Sequence, residues 1–466
     1  MTNKNETPQP AFLVALLPFA VMGTAIYFSV FVYEAEPHIA LFFGAITASL
    51  AAYGTGFTWG TIRSAFERNI QKGLITMIIL MIIGMLIGTW IASGIVPAML
   101  YFGIQFLHPL AFLPLILLFC AVMSVMTGSS WVTIGTIGVA AVGIGQGLGI
   151  PAAITAGAIV SGSFFGDKIS PLSDSTNLAS SVFEVNIYDH IRHMLYSTLP
   201  ALGLSLIAYT VIGFFLTETG SSGEEAMQYQ EYILEHFTLS PLLLVPPVAV
   251  IFLILKRVPA IPSLVAGVVL ASLTQVLVQG ANLGDLMITL YDGFFISSGW
   301  DTMDTLLSRG GLASMYSIIG LTLLALTFGG IMRYCGMLEA IVLKMKRLVR
   351  RRGGLVLTTL LSSVFVNLFT ANQYLSVIIP GQMYEQSYER LSLKKKNLTR
   401  TLEAGGTLTS PLIPWNASAI FVSAVLGIGA LQYAPYAFVC WSTGLVVALY
   451  GFSGLTMEKE DPREND

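Results

Sequence analysis

Gly166-Asp-Lys-Ile-Ser-Pro-Leu-Ser-Asp-Ser-Thr-Asn177 is the stretch whose reading decides the fold. It interrupts an apolar run that would otherwise read as one more membrane crossing. Pro171 has no amide hydrogen and disrupts the turn before it, which frees backbone carbonyls. Asp167, Lys168 and Asp174 bring formal charge to membrane depth, at a cost of about 2.5–3.5 kcal/mol each on insertion scales. The segment predicts a broken helix, and charge kept at such a cost predicts a function. A plainer reading also exists: Asp167 and Lys168 neutralise each other, and Asp174 caps a half-helix.

Working outward, the rest of the chain belongs in lipid. Its 466 residues are 55% hydrophobic and only 11% charged, where a soluble domain carries about 25% charged residues. The mean hydropathy is +0.75. A net charge of −3 gives no reason to expect a nucleic-acid partner. Cys120, Cys335 and Cys440 sit apart in apolar stretches, so they read as small buried hydrophobes with no disulfide framework or zinc site. Apolar runs recur at about 11–33, 38–56, 74–93, 195–217, 240–255, 260–279, 311–333 and 432–452. They are continuous and not alternating, so helices are expected and barrel strands are not. The first run is long for a signal-peptide core and reads as a retained transmembrane helix.

Lys and Arg orient the crossings, because they collect in cytoplasmic loops. Arg63, Arg68 and Lys72 mark one such loop, and Lys256 and Arg257 another. Lys344, Lys346, Arg347, Arg350, Arg351 and Arg352 form a basic run, and Arg390, Lys394, Lys395, Lys396 and Arg400 a second. The intervening connections carry Glu34 and Glu36, then Glu218, Glu224, Glu225, Glu231 and Glu235, then Asp285, Asp292, Asp301 and Asp304. This pattern puts both termini inside, with Arg309 on the outer face. The apolar stretch 353–383 leaves and returns to one side between the two basic runs, which predicts a re-entrant hairpin with its tip near Thr370–Tyr374. The stretch 110–147 reads the same way from the opposite face, turning near Thr127–Trp131.

These pieces repeat. Thr127-Gly-Ser-Ser-Trp131 resembles Thr370-Ala-Asn-Gln-Tyr374, and Gly166-Asp-Lys-Ile-Ser-Pro-Leu172 resembles Gly406-Thr-Leu-Thr-Ser-Pro-Leu412. The expected fold is an all-α polytopic membrane protein of two inverted repeats, each with a re-entrant hairpin and a broken transmembrane helix. The first repeat covers 1–217, with its hairpin at about 110–147 and its broken helix at about 150–180. An acidic external loop covers 218–239. The second repeat covers 240–456, with hairpin 353–383 and broken helix 403–426, and a charged cytoplasmic tail covers 457–466. Inverted repeats with interrupted helices build the midplane sites of secondary transporters.

The residues at the break suit a hard cation, which exchanges its water shell for oxygen ligands. Asp174, Asp167, Ser173, Ser175, Thr176 and Asn177 supply oxygens and no sulfur, with Lys168 tuning the site by pairing with Asp167. The opposite repeat offers Thr409, Ser410, Asn416 and Ser418, and no carboxylate is expected from it. The hairpin tips add Ser129, Ser130, Asn372 and Gln373, each equally readable as a polar packing residue. One carboxylate that binds a proton or a cation, but not both, turns alternating access into exchange, and Asp174 is the expected carrier. His190 and His193 read as a cytoplasmic-loop pair too sparse for a metal site, with pH sensing as the alternative. Gly143-Ile-Gly-Gln-Gly-Leu-Gly149 lacks the Lys-Ser/Thr of a phosphate loop and reads as the end of a hairpin arm.

From Gly162 to Ala179 the chain resembles the NhaC-type sodium/proton antiporters, a family within a superfamily of ion transporters with re-entrant hairpins. The resemblance implies sodium/proton exchange in a bacterial plasma (inner) membrane, with sodium as a substrate and no cofactor. It also brings in a subgroup that exchanges malate with protons for lactate with sodium. Such a carboxylate exchanger needs a cationic or hydroxyl-rich pocket, for which Lys168 and Asn372 are the candidates. The partners expected are therefore sodium, protons, the bilayer and, on the alternative reading, small carboxylates. A homodimer is compatible with the sequence. An intramembrane hydrolase is a more distant alternative and a passive channel another, with no histidine expected inside a crossing to serve the former.

Overall fold

The computed structural model describes residues 10–33, 35–218, 222–256, 258–297, 299–346 and 351–460. Several charges used above for orientation lie outside them: Glu34, Arg257, Arg347, Arg350 and the tail beyond Glu460. The side chains of Glu218, Glu224, Glu225, Asp301 and Lys346 are likewise outside the description.

Apolar runs become helices because a helix satisfies its own backbone in lipid. Among the described residues seven helices are long and apolar enough to cross a membrane, or up to 10 when each bent pair is one span. Hairpins and broken helices recur in the expected order. Pro109–Thr127 and Ser130–Gly147 form the first hairpin, followed by the broken helix Ala152–Ile169 and Asp174–Val182. Arg352–Thr370 and Gln373–Arg390 form the second, followed by Lys395–Gly405, a tight turn at Ser410–Leu412, and Ala417–Leu426.

The two tips share one geometry. Each first arm ends on a left-handed residue, Gly128 at φ 69° and Ala371 at φ 51°. Each second arm then opens on a polar cap, with the Ser129 hydroxyl accepting from the Val132 amide and Asn372 Oδ1 from those of Tyr374 and Leu375. The likeness of the tips has an asymmetric consequence. A Cβ on Gly128 would stand 2.6 Å from Leu172 Cβ and 2.7 Å from its carbonyl carbon. Gly128→Ala therefore adds a clash to left-handed strain, and is expected to lower stability by more than about 1 kcal/mol. Ala371→Gly removes that strain and is expected to be neutral or stabilising by up to about 1 kcal/mol. Thermal unfolding of both variants in detergent checks the pair.

Several boundaries differ from expectation, each for a physical reason. The second hairpin does not end near 383. Its second arm runs on to Arg390 because Tyr384 and Tyr388, one turn apart, both stay buried. The arms hold 19 and 18 residues, about 27–28 Å at 1.5 Å per residue, so the tip marks the hairpin and shortness does not. Arg63, Arg68 and Lys72 are not in a loop but on the polar first half of the 34-residue helix Trp59–Ala92. The acidic connection contains a helix, Ser222–His236, and the helix Ile95–Phe106 adds an apolar element between the expected crossing 74–93 and the first hairpin. The tail is packed as far as Glu460: the Lys394 amide donates to the Glu458 carbonyl at 3.1 Å and the Glu460 amide to the Ser392 carbonyl at 2.9 Å.

His190 and His193 are the sharpest departure. Both lie in the helix Ile187–Glu218 and are buried, not exposed in a loop. His190 Nδ1 meets the Thr399 hydroxyl at 2.9 Å, and His193 Nδ1 lies 3.5 Å from the Glu458 carboxylate. Histidine is thus present in a candidate span, and its absence cannot be what argues against a hydrolase.

Candidate functional site

Glycines set the position of the first break. The helix Ala152–Ile169 lies so close to Pro109–Thr127 that a Cβ on Gly162 would stand 2.2 Å from the Leu117 carbonyl oxygen. One on Gly166 would stand 2.3 Å from that of Ala121. Small residues four apart let membrane helices approach backbone to backbone. Between them the Ser124 hydroxyl donates to the Ser163 carbonyl at 2.6 Å. The register brings the next residue, Asp167, to the hairpin tip.

There the Asp167 carboxylate is held from both sides. One oxygen accepts from the Ser130 amide at 3.1 Å and the Ser130 hydroxyl at 2.6 Å, and the other from the Ser173 hydroxyl at 2.5 Å. Ser175 stands behind Ser173, hydroxyl to hydroxyl at 3.2 Å. Beyond Pro171 the freed groups find partners within the break. Thr176 donates to the Lys168 carbonyl at 2.8 Å, and the Asn177 amide donates to the carbonyls of Pro171 and Ser173, both at 2.8 Å. Thr176 and Asn177 thus mend the backbone that Pro171 breaks.

Asp174 opens the second half-helix and is exposed to a cavity of about 1010 Å³ that Asp167 and Ser175 also line. Among the described residues nothing donates a hydrogen bond to its carboxylate.

The opposite repeat meets the same cavity with neutral groups. Asn367 in the first hairpin arm matches Ser124 in position, and its amide donates to the Gly406 carbonyl at 2.5 Å and the Thr409 hydroxyl at 3.1 Å. Asn416 donates to Asn367 Oδ1 at 3.1 Å. Gln373 Oε1 lies 3.2 Å from the Ser410 hydroxyl and 3.3 Å from that of Ser418. Ser129, Asn372, Gln373, Asn416 and Ser418 line the cavity. Ser130, Ser173, Thr409 and Ser410 stand behind it as supports. Two aromatic residues at matching tip positions, Trp131 and Tyr374, close its walls, and Trp131 stacks on Phe421 of the opposite broken helix at 4.4 Å. Lys72 and Pro259–Pro262 line the other end.

Two expectations about charge are corrected. Lys168 does not pair with Asp167: no ion pair joins them, and the ammonium of Lys168 is buried with no hydrogen-bond partner among the described residues. The opposite repeat does carry a carboxylate, Glu403, fully buried near its break. Sequence reasoning missed it by starting that broken helix at 403, the membrane edge. The helix begins at Lys395, which carries Glu403 about 12 Å further in. Arg400 is buried as well and is no simple topology marker, since its guanidinium donates to the Thr456 hydroxyl at 2.8 Å. No group of three or more His, Cys, Asp or Glu side chains suited to a metal ion occurs among the described residues.

Known proteins share this architecture at the level of sequence. The model of the Na+/H+ antiporter family matches residues 9–176 and 162–455. The chain belongs to the Na+/H+ antiporter family. NhaC of Alkalihalophilus pseudofirmus, named a Na(+)/H(+) antiporter, is 38% identical over 97% of each chain. The arginine/ornithine antiporter ArcD of Halobacterium salinarum is 40% identical over 98% of this chain and 95% of its own. The malate-2H(+)/Na(+)-lactate antiporter of Bacillus subtilis is 35% identical over 95% of this chain and 94% of its own. Membership makes the chain a multi-pass secondary antiporter and not an enzyme, which removes the hydrolase and channel readings together.

Proposed function

We propose that this antiporter exchanges sodium for protons, and that Asp174 and Asp167 form the shared site. One observation carries the reading: two carboxylates from one break open on a single cavity walled by hydroxyls and amides of both repeats. Asp174 faces the cavity, its carboxylate free of hydrogen bonds among the described residues, and meets an arriving cation first. Asp167 stands behind with three donors on its carboxylate. Sodium seeks oxygen, and Ser175, Ser129 and Asn416 add neutral oxygens from three different elements. With the termini inside, as the basic loops indicate, the cavity end bearing Lys72 faces the cytoplasm and this conformation is inward-open.

A cationic amino acid is the second reading. A cavity of about 1010 Å³ has room for more than a bare ion, and two carboxylates beside Trp131 and Tyr374 suit an ammonium or guanidinium. Exchange of small carboxylates has less support. Lys168, its candidate cation, does not line the cavity, and the lysine that does is Lys72 at the far end. Proteoliposomes of the purified chain, challenged in turn with sodium, arginine against ornithine, and malate against lactate, separate the three. Sodium alone is expected to drive a change of internal pH. Exchange of labelled arginine with no sodium-driven pH change would replace sodium by an amino acid at the same carboxylates.

A further inference from the structure

Lys168 and Glu403 take no part in the exchange described so far, yet each occupies the last turn of a half-helix before its break, one in each repeat. Both side chains are fully buried. Among the described residues the Lys168 ammonium and both Glu403 carboxylate oxygens have no hydrogen-bond partner. Isolated charges at this depth are costly, and buried charges in membrane proteins pair with one another.

Elimination leaves few partners. Asp167, the nearest acid in sequence to Lys168, is satisfied by Ser130 and Ser173. Arg400, one turn before Glu403, turns its guanidinium to the Thr456 hydroxyl and the Met457 sulfur, over the ring of Tyr450. His190 meets Thr399 through Nδ1; its Nε2 has no partner among the described residues, but a neutral imidazole supplies no opposite charge. The acid that remains for Lys168 is Glu403, and the half-helices that carry the two pack against the same three helices, Asp174–Val182, Ile187–Glu218 and Phe438–Ser453. Their separation exceeds an ion-pair contact, so the attraction acts across a gap between the two repeats.

We propose that Lys168 and Glu403 are each other's counter-ions, and that this cross-repeat pair couples the two broken helices as the antiporter alternates. The two residues are positioning residues, standing behind the cavity and not in it. Alternating access moves one repeat against the other, and an attraction between half-helices from opposite repeats closes or opens as they move. The pair also accounts for two formal charges kept at membrane depth where neither makes an ion-pair contact among the described residues.

A double-variant cycle tests this, with Lys168→Gln, Glu403→Gln and both together compared with the parent. Two readouts are taken: thermal unfolding in detergent, and sodium-driven pH change in proteoliposomes. Each single variant strands one buried charge and is expected to lose thermal stability and at least about tenfold in exchange rate. The double variant strands none and should regain the stability that either single lost. Its maximal rate should stay below the parent's, while its half-saturating sodium concentration remains within about twofold, because a coupling element sets rate and not affinity. A single variant with parental stability and rate overturns the pairing, and so does a double variant no more stable than the worse single, including one that fails to fold. A double variant at the parental rate, or one shifted chiefly in half-saturation, overturns the coupling role. The inference rests on antiport and not on the choice of ion. If the parent shows no sodium-driven pH change, the sodium reading fails by itself, and the cycle is read with labelled arginine or malate instead.

Discussion

Gly166→Ala is expected to yield little folded protein. The added methyl would stand 2.3 Å from the Ala121 carbonyl oxygen and 2.7 Å from the Val125 amide nitrogen. Both are backbone atoms of a helix and cannot rotate away as a side chain would. The broken helix and its hairpin arm must therefore move apart, loosening the Ser124–Ser163 bond and withdrawing Asp167 from Ser130. Overpacking in a tight core costs about 1–3 kcal/mol, and a backbone collision belongs at or above the top of that range. Gly203→Ala is the control, since a Cβ there meets nothing within 4 Å, and a helical glycine replaced by alanine gains up to about 1 kcal/mol. Size-exclusion profiles and thermal unfolding of the two variants decide the matter. Equal stability would remove close helix approach from the account of this break.

The second large effect is on exchange. Asp174→Asn keeps the size and one oxygen of the side chain but can neither ionise nor carry a proton. Because no hydrogen bond reaches the Asp174 carboxylate among the described residues and it faces the cavity, the protein should stay folded while sodium-driven pH change falls to background. Asp167→Asn differs in kind. The carboxylate accepts from three donors on two oxygens, and an amide must turn its own NH2 toward one of those donors. That mismatch is expected to cost about 1–3 kcal/mol of stability in addition to exchange. Asp174→Glu keeps ionisation and should retain weakened exchange. Parental exchange by Asp174→Asn would make Asp174 structural and shift the carrier role to Asp167.

The contrast between these two carboxylates shows where sequence reading works and where it stops. Both breaks were legible, because proline in an apolar run has one local meaning and Ser-Pro-Leu occurs at both. The tips near Thr127–Trp131 and Thr370–Tyr374 were legible for the same reason, a short polar interruption in each of two similar settings. Long-range partners were not. That Asp167 belongs to Ser130 depends on a glycine-mediated approach between two helices, and nothing in the local residues states which serine it meets. Glu403, Arg400, His190 and His193 were misjudged together. Each sits on a helix that begins in polar, charged sequence and carries it inward, so a hydropathy window places the membrane edge too late. Charged side chains there read as loop or topology markers, while burial is decided by the neighbouring helices.

Competition between sodium and protons for the two carboxylates is the centre of the account, and one measurement reaches it directly. Parent protein in proteoliposomes is titrated with sodium at a series of fixed pH values, following the internal pH change. A carboxylate that holds a proton cannot at the same time hold sodium, so the half-saturating sodium concentration should rise as the pH falls. In the limit of full competition by one proton the rise approaches about tenfold per pH unit, while the maximal rate at saturating sodium changes much less. A half-saturating concentration that stays constant across the series, in a protein that still exchanges sodium, would contradict a shared site at Asp174 and Asp167.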